Sequence, residues 1–388
     1  MQNFNYFQPT DIRFGWGRCR EIPEAVSKYG KRCLLVTGST GSSRSILYDR
    51  IKQGMQSTSV MAAHFDGIIP NPTTDCVTAG AEMARSHQAD VILGFGGGSS
   101  MDAAKAIAVE ATHPGTCWDY LFFRDQAPTE KTLPVIAVTT TSGTGSHVTQ
   151  VGVVTNPAER CKSALYNPVI FPKVAIIDPE LMLTVPEHIT AATGFDAFTH
   201  AFESYIHCNA TPYTTLLAEQ ALRLIVKNLP LAVEDGSNRD ARAALAWADT
   251  LAGLCIANAG VTMPHGIGMA MSGLFPHIAH GQSLAVTYPE FVRFTSPSAI
   301  PHFAFLARLF NPELVKVSDD HAARQAGVEM EIFLKKINLW LSLESLKVPQ
   351  DELPELAKAS LVLPDYKNNP RIPSQDDISE ILNQCYKR

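Results

Sequence analysis

Residues 91–110 read VILGFGGGSSMDAAKAIAVE, an apolar run followed at once by consecutive glycines and then by an alanine-rich stretch. The run at 91–95 has the length and composition of a buried strand, and residues 101–110 have those of a helix. Strands that alternate with helices are the units from which parallel α/β sheets are built. This stretch therefore predicts an α/β domain with a glycine turn at the carboxyl end of one strand.

Three further apolar runs, at residues 33–37, 133–138 and 174–177, extend this pattern over the first half of the chain. Gly38 and Ser39 follow the first of them, ahead of a helical pattern at 46–55. The alternation predicts a Rossmann-like parallel sheet with crossover helices. Serines in the two glycine turns are expected to cap the helices that follow.

The second half of the chain has a different periodicity. Apolar residues recur at three- and four-residue spacing at 191–206, 216–226, 240–257 and 321–341. This spacing predicts helices, so the second domain is expected to be all-α. A chain of 388 residues exceeds the roughly 100–200 residues of one domain, and prolines at 179 and 186 punctuate the transition. The predicted domains are residues 1–183 and 184–388.

Composition narrows the classes of partner. The net charge is -6 without any dense Lys/Arg block, which argues against nucleic acid or an anionic membrane and favours a small-molecule substrate. No signal-peptide pattern and no apolar run near the ~18 residues of a membrane span is present. The eight cysteines include no C-x-x-C pair and are interpreted as reduced thiols, so a cytoplasmic location is expected.

Two loops have the chemistry of a phosphate site. The turn at 96–99 lets backbone N–H groups and a helix N-terminus approach a diphosphate, although a tight structural turn is the alternative. The loop TTTSGTGS at 139–146 follows another strand directly, where open α/β sheets bind ligands. Its alternative is a solvated polar loop. Asp102 either bonds the nicotinamide amide or ribose, or stabilises its helix.

The segment GFDAFTHAFESY at 194–205 suggests a metal half-site. Asp196 and His200 are four residues apart and project from one helix face. A carboxylate with imidazoles is a common ligand set for zinc or ferrous iron. Glu203 and His207 have the same spacing, and spacing alone does not rank the two pairs.

Further histidines follow at His265, His277 and His280. A continuous helix at about 1.5 Å per residue would separate the first and last of them by about 22 Å, too far to share an ion. A break is required, and Gly273 and Pro276 can supply it.

The chain resembles the iron-containing (group III) alcohol dehydrogenases, which have a dehydroquinate synthase-like fold. The resemblance covers essentially the whole chain and is carried by six motifs in order: FGWG at 14–17, PNPT at 70–73, GGGSSMDAAKA at 96–106, TTTSGTGS at 139–146, DPELMLTVP at 178–186 and GFDAFTHAFESY at 194–205.

The resemblance implies that the first domain binds NAD(P) and the second a divalent metal. The implied metal ligands are Asp196, His200, His265 and His280. The implied cofactor-binding residues are Gly38, Ser39, Thr40, Gly97, Gly98, Ser99, Asp102, Thr139, Thr140, Ser142, Thr144 and Lys162. The implied reaction is hydride transfer between nicotinamide C4 and the carbon of a metal-bound alcohol or aldehyde.

Three positions depart from the family pattern. Met269 stands where the family usually has a histidine credited with proton transfer, and the run from His265 to His280 is one residue longer than usual. We hypothesise that His277 partly replaces that proton relay, with a structural histidine as the alternative. His147 stands where the family usually has Glu.

The turn after the first strand bears on the cofactor. NAD-preferring members of the family carry Asp at the position of Gly38, whereas the turn here is uncharged, hydroxyl-rich and followed by Arg44. NADP is therefore predicted, with NAD as the alternative. The predicted metal is Fe²⁺, with Zn²⁺ as the alternative.

The predicted activity is a metal-dependent alcohol dehydrogenase or aldehyde reductase with a small alcohol or aldehyde substrate. A dimer is the default for a soluble homo-oligomer. The alternatives are a hydroxyacid-oxoacid transhydrogenase and a maleylacetate reductase-like carbonyl reductase. A dehydroquinate synthase-like lyase lacks the Lys/Arg cluster it needs, and a non-catalytic nucleotide-binding protein leaves the ligand set unexplained.

Overall fold

The computed structural model describes residues 3–39 and 45–388, and the chain forms two compact units. One unit is Phe7–Thr184, and the other is Val185–Arg388 together with residues 3–6. The predicted boundary had placed those first residues in the α/β domain. They belong instead to the helical unit, because the Tyr6 ring packs edge-on against Tyr213 with ring centroids 4.5 Å apart.

Eight strands are present among the described residues of the α/β unit. They are β1 (Asp11–Phe14), β2 (Arg32–Gly38), β3 (Met61–Ile68), β4 (Val91–Gly96), β5 (Val135–Thr139), β6 (Val151–Asn156), β7 (Cys161–Tyr166) and β8 (Val174–Ile177). Six of these described strands form one sheet in the order β1-β8-β5-β4-β2-β3, paired in parallel throughout. The strands β6 and β7 form a separate antiparallel hairpin.

The four predicted strands are confirmed as β2, β4, β5 and β8, while β1 and β3 were not predicted. These two strands lie at the edges of the sheet and are largely exposed or half-buried, so they lack a continuous apolar run. The hairpin strands β6 and β7 were not predicted either. From β2 the chain adds β3 on one side and then β4 on the other, so the direction of winding reverses between β2 and β4. Open α/β sheets bind ligands at the carboxyl ends of strands beside such a reversal.

Helices cover both faces of this sheet. They are α1 (Ile22–Ser27), α2 (Ser45–Ser57), α3 (Thr74–His87) and α4 (Gly98–Glu110). Along β2, Cys33 and Leu35 pack with α1 and α2, whereas Leu34 and Val36 pack with α3 and α4. Successive side chains point to opposite faces of a strand, so a buried strand needs apolar residues at every position.

The second unit is all-α over its described residues, as predicted. Its helices are α5 (Glu187–Ile206), α6 (Pro212–Glu234), α7 (Arg239–Asn258), α8 (Met263–Leu274), α9 (His280–Thr295), α10 (Ile300–Phe310), α11 (Asp319–Lys336), α12 (Leu353–Ala359) and α13 (Gln375–Gln384). The helix predicted at 321–341 ends earlier, because Asn338 adopts a left-handed φ of 56°.

Over residues 3–39 and 45–388, no single helix is both long and apolar enough to cross a membrane. Only α7 and α8 together meet those criteria, and they are bent by 99° at the break between them.

Candidate functional site

The glycine turn after β4 lies beside the polar loop after β5, because the two strands are neighbours in the sheet. The Thr140 N–H donates to the Gly96 carbonyl at 2.9 Å, and Gly96 has a φ of 154°. A Cβ built on Gly98 would overlap Thr144 Cγ2 and lie 2.8 Å from Thr144 Oγ1. Glycine at 98 therefore lets the turn approach the Thr144 side chain of the loop more closely than any other residue could.

The N-terminus of α4 has no side-chain cap among the described residues. The predicted serine cap is wrong for this helix, because its N-cap residue is Gly97. Backbone N–H groups at a helix N-terminus attract an anion through both hydrogen bonding and the helix dipole. An uncapped helix N-terminus that follows a glycine turn is suited to the diphosphate of a dinucleotide.

The side chain of Asp102 contacts the loop at 139–146. Its carboxylate accepts a hydrogen bond from Ser146 Oγ at 2.6 Å. Burial raises the pKa of Asp102, and the neighbouring Lys105 ammonium acts in the opposite direction. Neither predicted role, a bond to the cofactor or stabilisation of the helix, included this contact with Ser146.

Lys105 also forms hydrogen bonds with this loop. The sequence analysis did not predict this role. It is fully buried, and its Nζ donates to the carbonyls of Ser146, Thr149 and Val151 at 2.7, 2.9 and 2.6 Å. Burial lowers the pKa of Lys105 to about 8, while Asp102 acts against this. A buried ammonium is stable only when its donors are satisfied, which fixes the loop on α4.

The remaining predicted cofactor residues are distributed over this unit. Thr139 Oγ1 donates to the Thr141 carbonyl at 2.7 Å, and Ser142 Oγ lies 3.2 Å from Met182 Sδ. Lys162 lies on β7 and donates to Asn71 Oδ1 at 2.9 Å. Gly38 ends β2, next to the reversal of the sheet, and Ser39 follows it. Thr40 and Arg44 lie outside the described residues.

In the helical unit, the four predicted metal ligands converge. The Nε2 atoms of His200, His265 and His280 lie 3.6, 3.7 and 3.8 Å from Asp196 Oδ1. One ligand atom each from Asp196, His265 and His280 lies within 4.8 Å of the other two. The rings of His200 and His265 stack with centroids 4.6 Å apart.

Three helices position these side chains. Asp196 and His200 lie one turn apart on α5, His265 lies in the first turn of α8, and His280 begins α9. The predicted break between the last two histidines is confirmed: α8 ends at Leu274 and α9 begins at His280. Gly273 still belongs to α8, so the break spans the residues around Pro276.

The buried oxygen at the centre of the cluster fits a cation. Asp196 Oδ1 accepts no hydrogen bond from any part of the chain that the structure describes. The three nitrogens are too distant for good hydrogen bonds, whereas ligands held about 2.0–2.1 Å from one ion lie over 3 Å apart. The donor set is therefore suited to a divalent metal ion such as iron or zinc.

Two ionisable groups of the cluster have shifted pKa values. Burial raises the pKa of Asp196, but the imidazoles of His200, His265 and His280 outweigh burial and the net pKa is lowered. For His265 the directions are reversed. Burial lowers its pKa, but the Glu203 and Asp196 carboxylates outweigh burial, and the net pKa of His265 is raised. The lowered pKa favours the ionised Asp196 that a metal ligand must be, whereas the raised pKa of His265 means that a bound metal ion must displace a proton from its ring.

Glu203 contacts a proposed ligand, which the sequence did not reveal. Its Oε1 lies 2.8 Å from His265 Nδ1, and its Oε2 accepts from the Thr262 N–H at 2.8 Å. The alternative pair with His207 does not form, since His207 Nδ1 accepts from the Asn209 N–H. The only sequence signal was the place of Glu203 on the same helix as Asp196.

His277 is not part of the cluster. Its side chain is exposed, its Nε2 donates to the Leu346 carbonyl at 3.0 Å, and its ring packs on Phe275. The hypothesis that it relays a proton stays a prediction, and the hydrogen bond of this nitrogen is to Leu346 rather than to the cluster. Met269 lies on α8, buried and one turn after His265.

Two further ionisable residues, His147 and Asp365, have pKa values shifted by burial. His147 is fully buried, and burial lowers its pKa to about 3, so it is neutral. Burial also raises the pKa of Asp365 to about 6, with the His265 imidazole opposing this shift. Asp365 was not predicted, since no sequence pattern connects it with a histidine 100 residues earlier.

Comparisons with known proteins cover nearly the whole chain. The family description "Iron-containing alcohol dehydrogenase" matches residues 9–179, and "Fe-containing alcohol dehydrogenase family, C-terminal" matches residues 190–386.

Individual relatives match over the same length. The NAD-dependent methanol dehydrogenase of Bacillus methanolicus is 33% identical over 98% of this chain and 99% of its own. The 1,3-propanediol dehydrogenase of Klebsiella pneumoniae is 34% identical over 100% and 98%. A solved alcohol dehydrogenase, ADH/D1 from an archaeal source in a Red Sea brine pool, bound to NZQ, is 34% identical and superposes with a TM-score of 0.93 over 99% of both chains.

Proposed function

Because the chain belongs to the iron-containing alcohol dehydrogenase family, and is a metal-dependent NAD(P)-dependent alcohol dehydrogenase, we propose which of its residues form the site. Asp196, His200, His265 and His280 hold the metal ion. The observation that carries this assignment is the convergence of three Nε2 atoms on Asp196 Oδ1, a buried oxygen without a hydrogen bond from any described residue.

The dinucleotide binds at the carboxyl ends of β4 and β5. The N–H groups at the start of α4, from Gly98 and Ser99, would receive the diphosphate. Asp102 and Lys105 hold the neighbouring loop through Ser146. Thr139, Thr140, Ser142 and Thr144 belong to that loop or to the strand end before it, and Lys162 is proposed to reach the ribose.

The reaction combines two chemistries. When bound, a divalent ion in this ligand set would supply Lewis acidity toward the oxygen of the alcohol or carbonyl, and a nicotinamide would supply the hydride chemistry. The protein contributes a buried, ionised Asp196 and imidazoles whose Nε2 atoms face inward. Met269, one turn from His265, carries a thioether and transfers no proton.

The proposed substrates are a short primary alcohol and the corresponding aldehyde. Support comes from the relatives, which are named for methanol and 1,3-propanediol. Iron is the proposed ion because the matching family is described as iron-containing, and zinc, which suits the same donors, is the alternative.

Removal of the metal tests this function. The purified protein, with its metal content measured, is expected to oxidise NAD(P)H with short aldehydes and to lose at least about 100-fold in rate after exhaustive chelation. Addition of Fe²⁺ or Zn²⁺ is expected to restore the rate. Full activity without metal would contradict the proposal and favour a maleylacetate reductase-like carbonyl reductase. Reaction only between a hydroxy acid and a keto acid, without turnover of added cofactor, would indicate a transhydrogenase.

NADP is the proposed preferred cofactor. Gly38, at the end of β2 beside the reversal of the sheet, carries no carboxylate that would repel a 2′-phosphate. We expect kcat/KM to be roughly tenfold or more higher with NADPH than with NADH, which corresponds to about 1.4 kcal/mol. The relative named as NAD-dependent makes NAD the alternative.

A substitution tests the same position directly. Gly38→Asp is expected to reverse the preference, because its carboxylate bonds the 2′-hydroxyl and repels the phosphate. The added Cβ would lie 3.4 Å from the Ile68 carbonyl oxygen, an ordinary contact. Gly38→Ala adds the same Cβ without charge and is the matched control, expected to leave the preference unchanged. Equal steady-state efficiencies of the wild type with both cofactors would refute the proposed preference.

Location and assembly are proposed on general grounds. All eight cysteines are free thiols, which supports a reducing, cytoplasmic compartment. A homodimer is proposed because closed twofold symmetry is the commonest arrangement of homo-oligomers.

A further inference from the structure

We propose that Glu203 is a positioning residue, which holds His265 in the tautomer whose Nε2 is available to the metal ion. The inference rests on the metal site proposed above and assigns a task to a carboxylate that is not itself a ligand. Glu203 has 0% of its surface exposed, and it lies on α5 with Asp196 and His200.

Both carboxylate oxygens of Glu203 are occupied as acceptors. Oε2 receives the Thr262 main-chain N–H at 2.8 Å and lies 3.3 Å from the Thr262 hydroxyl. Oε1 lies 2.8 Å from His265 Nδ1. With the Glu203 carboxylate oxygen as the acceptor of this hydrogen bond, the N–H belongs to Nδ1.

This proton determines what the other nitrogen can do. A metal-bound imidazole is neutral and carries one N–H, and when that N–H is on Nδ1, Nε2 presents its lone pair to the metal. The Nε2 atom of His265 lies 3.7 Å from Asp196 Oδ1, on the side of the proposed ion. The single hydrogen bond from His265 Nδ1 to Glu203 therefore both orients the ring and leaves the lone pair of Nε2 directed toward the metal.

The same carboxylate holds the start of the helix that carries His265. Thr262 is the N-cap residue of α8, and His265 follows in the first turn. A second link to α5 lies nearby, where Ser204 Oγ donates to the Gly260 carbonyl at 2.9 Å. Both the ring of His265 and the backbone that carries it are thus fixed to α5.

Glutamine at position 203 would reverse the hydrogen bond while keeping the shape. The Thr262 N–H is a fixed donor, so the amide oxygen of a glutamine must face it. The amide NH₂ then faces His265 Nδ1 and donates to it. This arrangement favours the tautomer with its proton on Nε2, where the metal ion must bind. Methionine at 203 neither accepts nor donates a strong hydrogen bond and leaves both tautomers accessible.

The test measures metal affinity in the absence of substrate and cofactor. Metal-free wild type, Glu203→Gln and Glu203→Met are titrated with Zn²⁺ against a competing chelator. We expect Glu203→Gln to bind Zn²⁺ roughly 10–100-fold more weakly than wild type, which is typical for loss of a partner behind a metal-bound histidine. Glu203→Met is expected to lie between the two. A role in packing alone predicts the opposite order, since glutamine is the closer match in shape and polarity.

Glu187→Gln is the matched control. Glu187 is the first residue of the same helix, is exposed, and accepts from Asn338 Nδ2 at 2.7 Å, a bond that a glutamine oxygen also accepts. Its affinity for Zn²⁺ is expected to equal that of the wild type. An affinity of Glu203→Gln within about threefold of wild type, or above that of Glu203→Met, would overturn the inference.

Thermal unfolding of the metal-free proteins shows beforehand whether each variant folds. If a variant does not fold, a measurement on the wild type still tests the inference. In Zn²⁺-loaded protein with ¹⁵N-labelled histidine, His265 is expected to be protonated at Nδ1 and to bind zinc through Nε2. The His265 resonance is assigned with His265→Gln. Zinc on Nδ1 would overturn the role of Glu203, whereas failure of the wild type to bind Zn²⁺ would instead refute the metal site.

Discussion

Asp196→Asn is expected to lower kcat/KM by roughly three orders of magnitude or more, because metal assistance supplies several kcal/mol and each 1.36 kcal/mol is about tenfold in rate. The substitution keeps the shape of the side chain but removes the buried negative charge around which three imidazoles converge. An amide oxygen is a much weaker ligand than a carboxylate, so the variant is also expected to lose its metal.

Metal content and steady-state kinetics of purified Asp196→Asn check this result. His277→Ala is the control, since the exposed His277 contacts the Leu346 carbonyl and lies outside the cluster. It is expected to keep its metal, its rate and its pH profile. An Asp196→Asn enzyme that retains both metal and rate would contradict the assignment, and a changed pH profile in His277→Ala would support its role as a proton relay.

Gly281→Ala is expected to destabilise the helical unit and to weaken the metal site together. Gly281 directly follows His280, at the start of α9. A Cβ there would overlap the main-chain oxygen of Ala192 and lie 2.6 Å from its carbonyl carbon. Main-chain atoms of a helix cannot rotate away as a side chain does, so α9 must move away from α5 until this overlap is relieved.

The movement would affect two proposed ligands at once. Ala192 lies one turn before Asp196 on α5, so separating the two helices draws His280 away from Asp196. Overpacking of a core costs roughly 1–3 kcal/mol, and a clash with backbone belongs at the upper end of that range. Metal affinity and kcat/KM are expected to fall by about tenfold or more, since a 1.4 kcal/mol change in binding is tenfold.

Thermal unfolding of the metal-free protein and a Zn²⁺ titration measure the two effects of Gly281→Ala. Gly266→Ala is the comparison, because it also follows a proposed ligand, His265, but its added Cβ would first meet the Ser360 carbonyl oxygen at 3.2 Å. A smaller effect is expected there. Equal, small effects in both variants would show that the close approach of α9 to α5 is not required for the site.

The sequence predicted the parts of the fold whose residues are buried on all sides. The strands β2, β4, β5 and β8 have apolar residues at nearly every position because both faces of the sheet are covered. The edge strands β1 and β3 mix exposed and half-buried residues, so no apolar run marks them. The break between His265 and His280 was also predictable, because the helical rise alone forbids a continuous helix.

Sequence patterns did not decide which of two equally spaced carboxylate–histidine pairs forms the predicted metal site. Asp196 with His200 and Glu203 with His207 have the same spacing, and only the resemblance to known enzymes favoured the first pair. The structure explains the difference through partners from other helices: Asp196 faces His265 and His280, while Glu203 supports the far side of the His265 ring.

By itself, the sequence determined two domains, a glycine turn at the end of a buried strand and a carboxylate one turn from a histidine. The tertiary structure decided that Glu203, 62 residues before His265, bonds its Nδ1, that Lys105 holds the loop after β5, and that His277 lies apart. Periodicity relates only residues within one helix or strand. Contacts between distant segments depend instead on how closely two backbones approach, as at Gly281 and Ala192, and no local pattern specifies that distance.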